Sequence, residues 1–179
     1  MTKKQIIILG IIFAAMTIIM RLIPHPWNFT PMGALVLFSG FMLPKKWLWL
    51  PLAALVVSDL FLGSYEFGVM ATVYSSYALM LGISYGARSH YSFGVALGSS
   101  IASAVIFFIL TNAAVWAFTG MYTSDTSGLM ASYTAAIPFF RNTFVSYFVY
   151  TAVFFGSYEL LLHHSGRRFP KPSFLMGDH

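Results

Sequence analysis

The chain has 179 residues, 58% hydrophobic and 8% charged, with a mean hydropathy of +0.76. A soluble domain carries roughly a quarter charged residues, so this composition cannot cover a water-facing surface and indicates an integral membrane protein. The net charge of +5 comes from scattered cations without interleaved aromatics, which argues against nucleic acid, and the absence of cysteine removes disulfides, thiolate metal sites and a thiol nucleophile.

Six apolar segments follow one another. Lys3 and Lys4 precede the first, residues 5–23, whose apolar character runs on without a small-residue cleavage site. It therefore reads as a retained helix and not as a signal peptide. Next comes "RLIPHPWNFTP", residues 21–31, where three prolines exclude helix and concentrate hydrogen-bonding side chains. The second segment, 31–43, is short and closed by Pro44; the third covers 47–62, the fourth 69–87 and the fifth, the longest, 93–118. A polar connection over 119–133 leads to the sixth segment, 138–162, with a short interfacial helix expected at 128–136. The expected fold is a single all-α membrane domain over 1–179, a compact bundle of six transmembrane helices with a short tail at 165–179.

Placing the N-terminus in the cytoplasm puts Lys3, Lys4, Lys45, Lys46, Arg88, Arg167, Arg168 and Lys171 on that side, eight of the ten Lys and Arg residues. Shifting the count by one helix would scatter them, so both termini are expected in the cytoplasm. Arg21 and Arg141 then lie outside, and "RLIPHPWNFTP" becomes the first outer connection. Irregular backbone at that depth is tolerated where it is buried in protein or lines a wet cavity.

The other polar residues gather at the same level. Asp59 lies near the outer end of the third segment, Asn112 near that of the fifth, and Arg141 and Asn142 open the sixth. Glu66, Tyr122, Asp125 and Tyr133 are assigned to outer loops. Charges in spanning segments are paired or functional, and Asp59 and Arg141 have opposite signs at matching depth. They are therefore expected either to form a structural ion pair or to face a ligand. His25 is open to two readings, a ligand contact or a hydrogen bond to a loop carbonyl. Asn28 and Thr30 could cap the second helix, a reading favoured for Thr30 because Pro31 follows it. Tyr74, Tyr77, Trp27 and Trp116 belong to an aromatic belt or the core; Trp47 and Trp49 belong to the belt. Glu159 is expected to snorkel near the cytoplasmic end, and the adjacent His163 and His164 point too far apart on a helix to chelate a metal. No catalytic motif, glycine-rich phosphate loop or internal repeat is present. The pattern reads as a small bundle with an outward pocket.

Taken together, "RLIPHPWNFTPMGAL", "PLAALVVSDLFLG", "LTNAAVW" and "AIPFFRNTF" resemble the substrate-binding S components of energy-coupling factor vitamin transporters. Within that group the chain is most similar to the solitary vitamin B12-uptake family and its relatives. The resemblance runs from the first to the sixth segment. It implies an outward-facing pocket in the bacterial cytoplasmic (inner) membrane that captures a vitamin or cofactor-sized molecule, such as a cobalamin. His25, Asp59, Tyr77 and Arg141 match polar pocket positions of that family, and Asn28, Asn112 and Asn142 join them as candidate substrate contacts. The family's cobalt-ligating cysteine has no counterpart here. Thr72 stands nearest and cannot act as a soft ligand, which leaves His25 as the available imidazole. The resemblance also implies a transmembrane coupling subunit with its ATPases as partner, docked on small residues of the first helix, where Gly10 and Ala14 are four apart. No catalytic role, metal or resident cofactor is expected. The alternatives are a structural subunit of a membrane complex, or a membrane enzyme acting at the outer face.

Overall fold

The computed structural model describes residues 2–164; the tail over 165–179, with Arg167, Arg168 and Lys171 of the cytoplasmic count, lies outside the described residues. The described residues form six α-helices and no strand: α1 (Lys3–Leu22), α2 (Met32–Met42), α3 (Leu50–Leu62), α4 (Phe67–Gly86), α5 (Phe93–Phe118) and α6 (Thr126–His164). Short 3-10 turns occupy Lys45–Trp47 and Ala87–His90.

Side chains written into the sequence set the helix starts. Thr2 and Gln5 form a reciprocal capping box on α1, Glu66 accepts from Val69 N at 2.7 Å, and Ser92 accepts from Val95 N at 3.1 Å. Each satisfies an amide that has no partner inside its helix. At α6 the work falls to Asp125, whose Oδ1 accepts from Gly128 N, Ser127 Oγ and Thr123 Oγ1. Those bonds hold its carboxyl at about 2, below the ordinary 3.8. The cap makes α6 start at Thr126 and run unbroken through Pro138. The separate interfacial helix expected at 128–136 is thus the first part of α6, and Tyr133 is helical instead of looped. Proline costs this helix one internal hydrogen bond, but the strong cap and the packing against α5 carry it through.

The bundle is organised around α2, which is apolar on every side. A helix with that composition must be surrounded, and every residue from 31 to 44 is buried. All five other helices pack against it. Gly33 and Gly40 permit the closest approaches: a Cβ at the first would collide with the Tyr147 ring, and at the second with the Ser84 hydroxyl. Phe38 lies edge-on to Phe13, Phe155 and Tyr158, and Phe13 stacks on Phe154 at 3.9 Å, which locks α1 to α6. The carbonyl end of α2 is closed by Arg88, 2% exposed, which donates to Phe41 O at 3.3 Å and Leu43 O at 2.8 Å. Its guanidinium also lies 4.6 Å from the Tyr85 ring centre.

At 1.5 Å per residue α2 is only about 16 Å long and α3 about 20 Å, against a hydrocarbon layer of about 30 Å. The remaining four, α1, α4 with its 3-10 extension, α5 and α6, are long and apolar enough to cross a membrane. The short second segment expected from the sequence is α2, and α3 is likewise shorter than a simple crossing needs. Large apolar side chains face outward along the bundle, among them Ile12, Leu60, Phe61, Leu79, Ile109 and Val153.

The small pair expected to receive a partner faces the interior of the bundle. Gly10 and Ala14 are buried, and a Cβ on Gly10 would come within 2.9 Å of Leu43. That face of α1 is already occupied by the chain itself. Glu159 does more than snorkel, because it accepts a hydrogen bond from Tyr91 OH at 3.2 Å.

Candidate functional site

Because α2 is short, the five helices around it extend past its N-terminal end and enclose a space there. A cavity of about 870 Å³ occupies that space. The ends of α1 and α3, the start of α4, the last third of α5 and the middle of α6 form its sides. Residues of the 23–30 connection and of the Gly63, Ser64, Tyr65 turn rim it. Its deepest polar group is the pair Tyr77 and Tyr147, with hydroxyls 3.5 Å apart. Tyr147 rests on Gly33, so the start of α2 sets the depth of the cavity.

One wall is charged. Arg21, in the last turn of α1, donates from Nη2 to Asp59 Oδ1 at 2.7 Å and from Nη1 to Ser58 Oγ at 2.6 Å. The second oxygen of Asp59 accepts from Tyr74 OH at 2.9 Å. The two side chains are 16% and 10% exposed. This corrects the expected Asp59–Arg141 pair: Asp59 is held by Arg21, while Arg141 is exposed and does not line the cavity. The reason is helical phase. Arg21 and Asp59 face each other across the α1–α3 contact, whereas position 141 lies on the outer side of α6.

The opposite wall is aromatic and amidic. Phe107 packs on Tyr77 at 5.1 Å between ring centres, and Phe108 on Phe140 at 4.6 Å. Asn112 Nδ2 donates to Phe108 O at 2.8 Å and Thr111 Oγ1 to Phe107 O at 2.8 Å. Both residues line the cavity, and the Asn112 side-chain carbonyl is left without a bond among the described residues.

The proline-rich connection forms the rim. Phe29 N bonds Pro26 O at 2.9 Å, closing a turn whose third residue, Asn28, has φ +61°. That position demands a left-handed residue, and asparagine tolerates it better than most. The turn is tied to α6 by Asn142 Nδ2 donating to Trp27 O at 3.0 Å and Ser146 Oγ to Asn28 O at 3.4 Å. His25 Nδ1 is 2.7 Å from Ile23 O. A carbonyl only accepts, so Nδ1 carries a proton, and in the neutral imidazole Nε2 is then an acceptor. Thr30 does not cap α2: its first turn follows Pro31 with no side-chain cap. At the rim, local burial and, second, the nearby Asp59 carboxylate push the Tyr65 phenol up to about 12.

Of the expected substrate contacts, His25, Asn28, Asp59, Tyr77 and Asn112 line this one cavity; Arg141 and Asn142 do not. Asn142 instead holds the rim in place. The sequence reading missed Arg21, Thr111, Thr143 and the aromatics Phe107, Phe108, Phe140 and Tyr147. The available signal for Arg21 was its depth, which matches that of Asp59. The aromatics carry no signal that separates a cavity wall from a core. Among the described residues no group of three His, Asp or Glu side chains is placed to hold a metal ion.

A family model described as a family of unknown function (DUF6580) matches residues 1–171. The chain belongs to that family. No curated protein and no solved structure matches it.

Proposed function

We propose that this chain is a multi-pass protein of the bacterial cytoplasmic membrane that captures a small molecule in the cavity above α2, with the cavity open to the outside, as an uptake subunit of the S-component kind. The observation that carries the reading is the cavity itself: about 870 Å³, mostly apolar with several aromatic rings in its walls, and with a few fixed polar groups at Asp59, Asn112, Tyr77 and His25. Pockets that bury small ligands have roughly 300–1,000 Å³ and this mixture of wall chemistry. The outward orientation is supported by charge. Among the described residues, Lys3, Lys4, Lys45, Lys46 and Arg88 cluster at the end away from the cavity, and only Arg21 and Arg141 lie at the cavity end. A coupling subunit, if one docks, uses a surface other than the Gly10 and Ala14 face of α1.

Mass spectrometry of small molecules released from gently purified protein tests the capture reading. One compound released in near-stoichiometric amount is the expected result, and protein that is empty after mild extraction speaks against it. Orientation is tested in the natural cysteine-free background. A cysteine at Ser64 should react with an impermeant maleimide on intact cells, and one at Lys46 only after lysis.

A further inference from the structure

Resting on that reading of the cavity, we infer that its ligand is an electrically neutral, aromatic molecule with hydrogen-bonding groups on its edge. The inference follows from how the charges are already spent. Among the described residues the lining contains one guanidinium and one carboxylate, Arg21 and Asp59, and they bond each other at 2.7 Å. Asp59 has its other oxygen on Tyr74 OH, and Arg21 has its other terminal nitrogen on Ser58 Oγ. An anionic ligand would meet a guanidinium whose charge Asp59 already balances, and a cationic ligand a carboxylate already balanced by Arg21, so the wall offers neither ion a net countercharge. Carrying an ion out of water to a wall whose charges already cancel is costly. The uncapped start of α2 offers no second positive site. It lies beneath the Tyr77–Tyr147 pair, and its residues do not reach the cavity.

What is left unspent is neutral. The Asn112 carbonyl accepts, as does Nε2 of the neutral His25 ring, and the Tyr77 hydroxyl, which accepts a hydrogen bond from Tyr147, still has its own proton to donate. These groups stand among Phe107, Phe108, Phe140 and Tyr147, which pack on one another or on Tyr77 and still line the cavity. Aromatic rings prefer offset or edge-on aromatic neighbours, so a planar ring system is the ligand shape these walls favour, with its edge turned to the amide and hydroxyls.

The test uses three probes of nearly equal shape: 2-naphthamide, 2-naphthoate and 2-naphthamidine. Their affinities are read by saturation-transfer NMR on the whole chain in nanodiscs, with empty nanodiscs subtracted. The neutral amide should bind at least about 10-fold tighter than either ion, because an ion entering the cavity loses hydration and finds no net countercharge at the Arg21–Asp59 pair. D59N frees the guanidinium and should move the preference to the naphthoate; R21Q frees the carboxylate and should move it to the amidine. The double variant should restore preference for the amide, and it remains informative if either single variant folds poorly. Tighter binding of an ion by the natural chain, or a double variant that keeps an ionic preference, overturns the inference. Binding of none of the three also overturns it, whereas the capture reading is decided separately by the released-molecule measurement.

Discussion

Replacing Asp59 by alanine removes three things at once: the 2.7 Å bond to Arg21, the 2.9 Å bond from Tyr74, and the charge that balances the guanidinium. Breaking a fully buried pair costs about 3–5 kcal/mol, and an exposed one contributes about 0–1 kcal/mol. With side chains 16% and 10% exposed beside a cavity that admits water, this pair falls between those limits, nearer the buried one. The single change D59A should therefore cost about 2–4 kcal/mol, and R21A a similar amount. Because the double change leaves no orphaned charge, it should cost less than the sum, with a coupling of about 1–3 kcal/mol. Equilibrium unfolding in mixed detergent micelles, followed by far-ultraviolet circular dichroism, measures all four corners of the cycle. The parallel cycle of Asp59 with Arg141 is the internal control and should be additive within about 0.5 kcal/mol. Additivity for Arg21 with Asp59, or coupling for Arg141 with Asp59, would refute the pairing and with it the account of the charged wall.

Gly33→Ala should destabilise by about 1–3 kcal/mol, since the new methyl group collides with the Tyr147 ring in a packed interior; Y147V should relieve part of that loss in the same unfolding assay. Arg88→Met keeps the buried volume but removes the bonds to Phe41 O and Leu43 O. It should cost about 1.5–3 kcal/mol, the usual range for hydrogen bonds from a charged donor. A neutral gain in unfolding titrations would show that α2 needs no such closure. Asp125 gives a pH signature. Its folded value of about 2 lies below the ordinary 3.8, so its contribution is complete above about pH 4 and is lost as the pH falls through about 2. Hydrogen exchange in the first turns of α6 should accelerate over that window. D125N, which still offers a side-chain oxygen, should remove the pH dependence.

How much of this was legible beforehand differs by element. The apolar segments, their ends and the proline-rich rim follow from local chemistry: a run of hydrophobic residues, a capping side chain, a proline. The full burial of α2 is likewise implied by a helix without a polar face. What escaped the linear reading depends on which way side chains turn. Arg21 and Arg141 both sit at the right depth to meet Asp59, and only the rotation of α1 and α6 decides between them. Pro138 reads as a helix start, yet the Asp125 cap begins α6 twelve residues earlier and the packing against α5 tolerates the missing bond. Gly10 and Ala14 advertise a close helix contact, and the sequence is silent on whether the neighbour is another protein or Leu43 of the same chain. The cavity was legible as a level in the bundle where polar groups gather. Its walls were not, because phenylalanines facing a cavity and phenylalanines in a core have the same sequence pattern.

The central claim is that the space above α2 holds a small molecule, and the most direct measurement compares intact masses of the natural chain and of A136W under native electrospray. Ala136 lines the cavity and is 8% exposed, and it stands on α6 and not on the α1 and α3 elements that carry the Arg21–Asp59 pair, so an indole there takes up ligand volume. The account predicts a single bound mass on the natural chain that is absent from A136W while the variant still unfolds cooperatively. A natural chain that flies empty, or a bound mass that survives in a folded A136W, would contradict it.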